Sequence, residues 1–165
     1  MTLDELAAKQ EIAEGLYRYC RSMDRMDKGL FATVFTPDAD LDYGEHFAGT
    51  PDGFREWVWV SHEGMQSHSH QITNILSEVD IATGQAVSEA YVTVCLRTRP
   101  TPTGGVVDIV DRGRYLDRWV RADEGWRISS RRYRSDVQQV VDASGAPPVT
   151  SVRDTSDPSF ELFGV

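Results

Sequence analysis

Apolar side chains at Leu6, Ile12, Ala13, Leu16, Tyr17, Cys20 and Met23 recur at spacings of three and four, which predicts an amphipathic helix over residues 4–24. Thr2, with Glu5 three residues later, carries the signature of a capping box at its start. The run LFATVF, bracketed by Gly29 and Pro37, predicts a second short helix from Lys28 to Phe35, and alternation over Ala39 to Tyr43 predicts a short strand. The segment PDGFREWVWVSHEG from Pro51 sets Phe54, Trp57 and Val58 on a common face behind an early proline, the mark of a third helix. Beyond it the chain turns β-rich. Residues 68–80, 85–99, 106–121 and 125–137 read as strands, separated by turn signals at ATGQ, PTPTGG and ADEG.

Three helices followed by a four-strand meander predict an α+β fold in which a curved antiparallel sheet packs against three N-terminal helices, a cone that encloses a pocket. One domain is expected over residues 1–141, with a tail over 142–165. The tail is rich in Pro, Ser, Gly and Asp, but Phe160, Leu162, Phe163 and Val165 give it apolar weight. It is expected to dock over the pocket mouth or on a neighbouring subunit.

Charge narrows the partners. The 26 acidic against 17 basic residues, net −9, argue against nucleic acid and anionic membrane. The eight arginines from Arg112 to Arg134 fit a solvated sheet face. The opening residues lack a secretory pattern and no apolar run approaches a membrane span, so a cytoplasmic protein is expected. Cys20 and Cys95 fall in a predicted helix and strand, as core cysteines do in a reducing compartment. No GxGxxG, P-loop, GxSxG or HExxH pattern occurs, which leaves nucleotide cofactors and serine or zinc hydrolysis without support. His68 and His70 have the spacing of paired strand ligands, yet only His46 and His62 accompany them, so no metal or cofactor is expected.

The candidate chemistry lies in Asp24, at the end of the first helix, and His70, early in the first long strand. A neutral imidazole with a reference pKa of about 6.5 is suited to removing a proton near neutral pH. A carboxylate on its other ring nitrogen fixes the tautomer and stabilises the imidazolium. An acid at a helix C-terminus opposes the helix dipole and so implies a specific partner, although Asp27 has an equal claim on sequence. In a regular strand His70 shares its face with His68, Ile72, Asn74 and Leu76, a polar entrance over an apolar floor.

The stretches YRYCRSMDRMDKGLFATVFTPDADLDYG, SHSHQITNI and WRISSRRYRSD resemble the SnoaL-like branch of the NTF2-like superfamily, over about residues 5–137. That branch includes scytalone dehydratase, hexachlorocyclohexane dehydrochlorinase and bile-acid 7α-dehydratase. The resemblance implies the NTF2-like cone. It assigns the family's aspartate to Asp24, its histidine to His70, a polar helix residue to Tyr19 and a last-strand arginine to Arg131. Five residues of helix separate Tyr19 from Asp24 by about 140°, so Tyr17 is an alternative source of the hydroxyl. Regular alternation places Arg131 on the face opposite Trp126, and a bulge would reverse this. No histidine follows His70, so a second one found in scytalone dehydratase has no counterpart. The resemblance implies a cofactor-independent lyase of dehydratase type acting on a small, largely apolar cyclic molecule. An isomerase or cyclase using the same base, and a non-catalytic assembly module like a dioxygenase β subunit, are the alternatives. A homodimer or homotrimer is the expected assembly.

Overall fold

The Thr2 hydroxyl accepts from the Glu5 N–H at 3.2 Å while the Glu5 carboxylate takes the Thr2 N–H at 2.7 Å, a closed capping box that starts α1, Leu3–Asp24. The computed structural model describes residues 1–164. Along α1 the buried stripe runs through Ile12, Leu16, Tyr19, Cys20 and Met23, whereas Leu6 and Tyr17 are about half exposed. Gly15 lets the helix press on Trp119, because a Cβ there would stand 2.8 Å from the indole ring. None of the described helices is long and apolar enough to cross a membrane.

A tight turn through Met26, at φ 54, leads to α2, Lys28–Phe31, whose N-cap is Asp27. The second helix ends four residues before the sequence predicts, and β1 (Phe35–Asp42) begins at Phe35. Pro37, read in the sequence as a helix stop, lies inside β1 in the stretch between Phe35 and Asp40 where the register slips. A residue without an N–H is tolerated at such an irregularity. β2 (Ala48–Gly49) and α3 (Pro51–Ser61) follow, and then the long strands β3 (Met65–Asp80), β4 (Gln85–Thr98), β5 (Val107–Ala122) and β6 (Gly125–Asp142).

The six strands form one curved, unclosed sheet in the order β2-β1-β6-β5-β4-β3. The four long strands make the expected antiparallel meander, but β1 joins β6 in parallel. Helix α1 lies across β3 and β6, and its apolar stripe closes the core around Trp119, Trp126 and Ile128.

Three irregularities decide which side chains face the concave side. At Asn74, φ 49, β3 slips register against β4, so Leu76 is 68% exposed rather than on the apolar floor that regular alternation predicts. In β6, Ile128 pairs Trp119 but Ser130 pairs Arg118, so one extra residue sits between them. That bulge brings Arg131 onto the buried side with Trp126 and Ile128. A second slip, with Val137 opposite Arg112 but Ser135 opposite Gly113, bends the outer half of β6.

The tail packs on its own chain. Arg153 donates to the carbonyls of His62 and Met65 at 3.0 and 2.9 Å, and Asp157 pairs with Arg25 at 3.4 Å. Helix α4 (Pro158–Phe163) buries Phe160 beside Arg21. Leu162 and Phe163, expected to dock, are largely exposed, and Val165 lies outside the described residues.

Candidate functional site

β3 is an edge strand, so the outward N–H of His70 has no strand partner, and Asp24 at the last turn of α1 takes it. Asp24 Oδ2 accepts the His70 backbone N–H at 3.0 Å, and Oδ1 stands 2.6 Å from His70 Nδ1. The carboxylate therefore grips one residue at two points, which fixes the ring plane as well as its direction. Asp27 is occupied elsewhere: it accepts the Leu30 N–H at 2.8 Å as the cap of α2. The His70 side chain is 6% exposed and that of Asp24 16%. His70 Nε2 has no protein partner among the described residues.

His70 stands between two hollows. On the outside, Asp24 and Tyr17 border a shallow groove with Cys20, Arg21 and Arg25. Burial, then the neighbouring Asp24, pushes the Cys20 thiol up to about 12, which leaves it un-ionised and inert. On the inside, His70 borders a cavity of about 330 Å³ between the helices and the concave sheet. Met23, Phe54, Trp57, Val58, Val94 and Leu96 give this cavity apolar walls.

Its closed end is built from tyrosines. Tyr19 and Tyr43 share a hydrogen bond between hydroxyls at 2.9 Å, and the Tyr19 ring meets the edge of both the His70 and the Tyr115 rings. Burial, chiefly, raises the pKa of Tyr19, Tyr43 and Tyr115, so all three remain neutral donors. Tyr19 and Asp24 do not converge on one side of the helix. They touch His70 from different directions, Tyr19 against the ring and Asp24 at the strand edge, so the 140° between them is no obstacle. Tyr17 belongs to the outer groove and does not line the cavity.

Arg131 is fully buried and does not line the cavity either. Its Nε and Nη2 donate to Asp117 at 2.8 and 2.7 Å, and its guanidinium lies 4.3 Å from the Tyr19 ring centre and 4.0 Å from that of Tyr115. Burial pushes the Asp117 carboxyl up while the facing guanidinium pulls it back. Direct contact of Arg131 with a ligand, as expected from the sequence, is not what this geometry offers. The Tyr19 and Tyr115 rings stacked on it line the cavity in its place.

Beside the dyad, the His62 and His68 rings lie 4.7 Å apart, edge to face, with Arg153 Nη2 3.3 Å from His68 Nδ1. Burial, then Arg153, lowers His62 to about 4 and His68 to about 2, so both are neutral near pH 7. His68 is buried, with its Nδ1 3.2 Å from the Met23 carbonyl oxygen. Among the described residues no three His, Cys, Asp or Glu side chains gather as a metal site requires.

Sequence reasoning did not single out Tyr43, Tyr115 or Tyr133 as cavity residues. The alternation Ile109, Asp111, Gly113, Tyr115 on β5, all on one face, was the available signal for Tyr115. Tyr43 and Tyr133 depend on the crossover of β1 and on the bulges of β6, which no local pattern records.

Residues 4–132 match the family model of the SnoaL-like domain. Among curated proteins, none matches the chain. Solved structures share its fold. A protein described as a candidate scytalone dehydratase from Novosphingobium aromaticivorans superimposes with a TM-score of 0.70 at 19% identity, covering 92% of this chain and 95% of that one. A hexachlorocyclohexane dehydrochlorinase, LinA type 2, gives 0.71 at 16% identity, covering 82% and 90%. The Mycobacterium tuberculosis protein Rv3472, of unknown function, gives 0.62 at 27% identity, covering 77% and 70%. With its helix-covered, unclosed sheet and a domain match that spans most of its length, the chain belongs to the SnoaL-like family of the NTF2-like superfamily.

Proposed function

We propose that the chain is a cofactor-independent lyase that eliminates water from a small, largely apolar cyclic carbonyl compound. One observation carries this reading: an imidazole clasped by a carboxylate on Nδ1 lines an apolar cavity with its other nitrogen unpartnered. In that arrangement Nδ1 holds the proton and Nε2 keeps its lone pair for a substrate C–H next to the carbonyl. The electrons of that C–H bond move toward the carbonyl as it breaks. One of the paired Tyr19 and Tyr43 hydroxyls donates to the other, which leaves a proton for the developing oxyanion. Collapse of the enolate forms the C=C bond and expels the β-hydroxyl, which takes the proton back from the imidazolium and leaves as water. Asp24 stabilises the imidazolium throughout. Kinship with a dehydrochlorinase and a candidate scytalone dehydratase supports elimination over other uses of the same base.

The test is mass spectrometry of a panel of cyclic β-hydroxyketones incubated with the protein. Loss of 18 mass units, abolished in a folded His70→Ala variant, is the expected result; the general-base contribution is about 10²- to 10⁴-fold. A rearranged product of unchanged mass in H2O, heavier by one unit when the reaction is run in D2O, would instead identify an isomerase. Full turnover by His70→Ala would overturn the reading. A homo-oligomer is part of the proposal, because Val87 and Tyr91 leave apolar surface on the outer sheet face. A monomer in sedimentation velocity at micromolar concentration would contradict it.

A further inference from the structure

Beside the cavity lies a cluster of three basic side chains that the dyad chemistry leaves unused. His62 caps α3, His68 precedes the dyad on β3, and Arg153 reaches them from the tail. His68 Nδ1 faces both the Met23 carbonyl oxygen, at 3.2 Å, and Arg153 Nη2, at 3.3 Å. One nitrogen cannot serve both: protonated it suits the carbonyl, and bare it suits the guanidinium. His62 Nδ1, His68 Nε2 and Arg153 Nε are buried without protein partners among the described residues. Burial rather than pairing therefore keeps both imidazoles neutral.

Arg153 nevertheless fastens a piece of the cavity wall. Its Nη1 donates to the carbonyls of His62 and Met65, the two ends of the turn between α3 and β3. Ser61, His62 and Met65 line the cavity, so Arg153 is the bolt behind that stretch of wall. Drawing the bolt does not require the tail to unravel, because the chain is fixed on either side of it. Arg97 Nη1 donates to the Pro147 carbonyl at 3.3 Å, and Asp157 pairs with Arg25.

The charges around the cluster favour withdrawal in acid. Arg153 from the tail and His70 from β3 both oppose a proton on His62 or His68, and Arg99, just past the end of β4, acts on Arg153 as a further cation. Asp24 on α1 attracts Arg153 but is committed to His70, and Glu63, next to His62, is exposed. A proton on either imidazole places a second cation beside the guanidinium. The closed arrangement thus refuses protons that an open one accepts, so opening gains ground as the pH falls below about 6.5.

We propose that Arg153 is an acid-released bolt: protonation of His62 and His68 drives it from its seat, and the turn of residues 62–65 opens that side of the cavity. The device stands whichever reaction His70 performs.

Native-state hydrogen exchange of the full chain, read at the His62 and Met65 amides, tests it. Both are hydrogen-bonded in the closed turn, to the Val58 and His62 carbonyls. After correction for intrinsic rates, their protection is expected to fall between pH 7.5 and 5.5 by about tenfold for each histidine that regains its ordinary pKa. The opening is local, so dilute urea leaves it unchanged while accelerating exchange in the core of β5. Arg153→Gln is expected to exchange rapidly at both pH values. His68→Gln removes about tenfold of the pH effect, and His62→Gln, at the less buried imidazole, makes the same test where His68→Gln fails to fold. Protection independent of pH, urea sensitivity equal to that of β5, or unaltered protection at pH 7.5 in Arg153→Gln would overturn the proposal.

Discussion

At the scale of single residues, the buried charges and imidazoles make the sharpest claims. Arg131 and Asp117 have no exposure and satisfy each other bidentately, while Arg131 Nη1 is buried without a partner. Removing one charge strands the other, which typically costs about 3–5 kcal/mol, whereas removing both with apolar side chains of similar volume is far less harmful. Arg131→Met is therefore expected to lose that much in urea unfolding, and adding Asp117→Leu to recover most of it; an additive pair would contradict a purely mutual dependence. His62 and His68 govern a different response. Their folded pKa values, about 4 and about 2, lie below the ordinary value for imidazole, so below about pH 6.5 the unfolded chain binds protons that the folded chain refuses. Stability is complete above that pH and falls as the solution is acidified, through pH 4 for His62 and further for His68. Between pH 7.5 and 5, above the carboxylate range, the expected loss is of the order of a few kcal/mol. His68→Gln flattens this slope in urea titrations, and an unmodified protein with equal stability at both pH values would refute the assignment.

At the scale of elements, the helices and the meander were legible because each follows from a local rule. The capping box, the spacing of three and four along α1, and Pro51 at the start of α3 all appear in the chain as they do in the fold. Asp24 and His70 were legible as a pair for a related reason: one ends a helix and the other opens a long strand, and the family pattern links them. The bulges were not. No composition signal marks Ser129 as the extra residue, yet it alone decides that Arg131 is buried with Trp126. The slip at Asn74 likewise turned Leu76 outward, against strict alternation. Gly113 allows a testable statement about the outer bulge, since a Cβ there would sit 2.3 Å from the Arg134 carbonyl oxygen. Gly113→Ala is expected to destabilise by about 1–3 kcal/mol, the usual range for overpacking. Gly145→Ala, with nothing within 4 Å, serves as the near-neutral comparison in the same denaturation series.

At the scale of the whole molecule, the tail completes the wall behind the dyad. Arg153 bridges the end of α3, the start of β3 and the His68 ring, and Asp157 and Phe160 fasten the rest to α1. Its composition suggested a docking segment, but Arg153 gave no sign in the sequence of being the residue that shields two histidines. Removing residues 148–165 is expected to lower the melting temperature and, by admitting water to His62 and His68, to weaken the acid dependence of stability. Melting curves at pH 7.5 and 5 check both effects, and an unchanged difference between the two curves would dissociate the tail from the histidines. The dyad, by contrast, is carried by α1 and β3 directly, and no described tail residue bonds to it.

Nitrogen NMR of the imidazoles tests the dyad itself without any substrate. With Asp24 Oδ1 2.6 Å from Nδ1, neutral His70 must carry its proton on Nδ1 and leave Nε2 without one. In ¹⁵N-labelled protein at pH 8 the expected spectrum shows that tautomer for His70, and its dominance is lost in Asp24→Asn. A proton found on Nε2, or a tautomer indifferent to Asp24, would leave the cavity without a base.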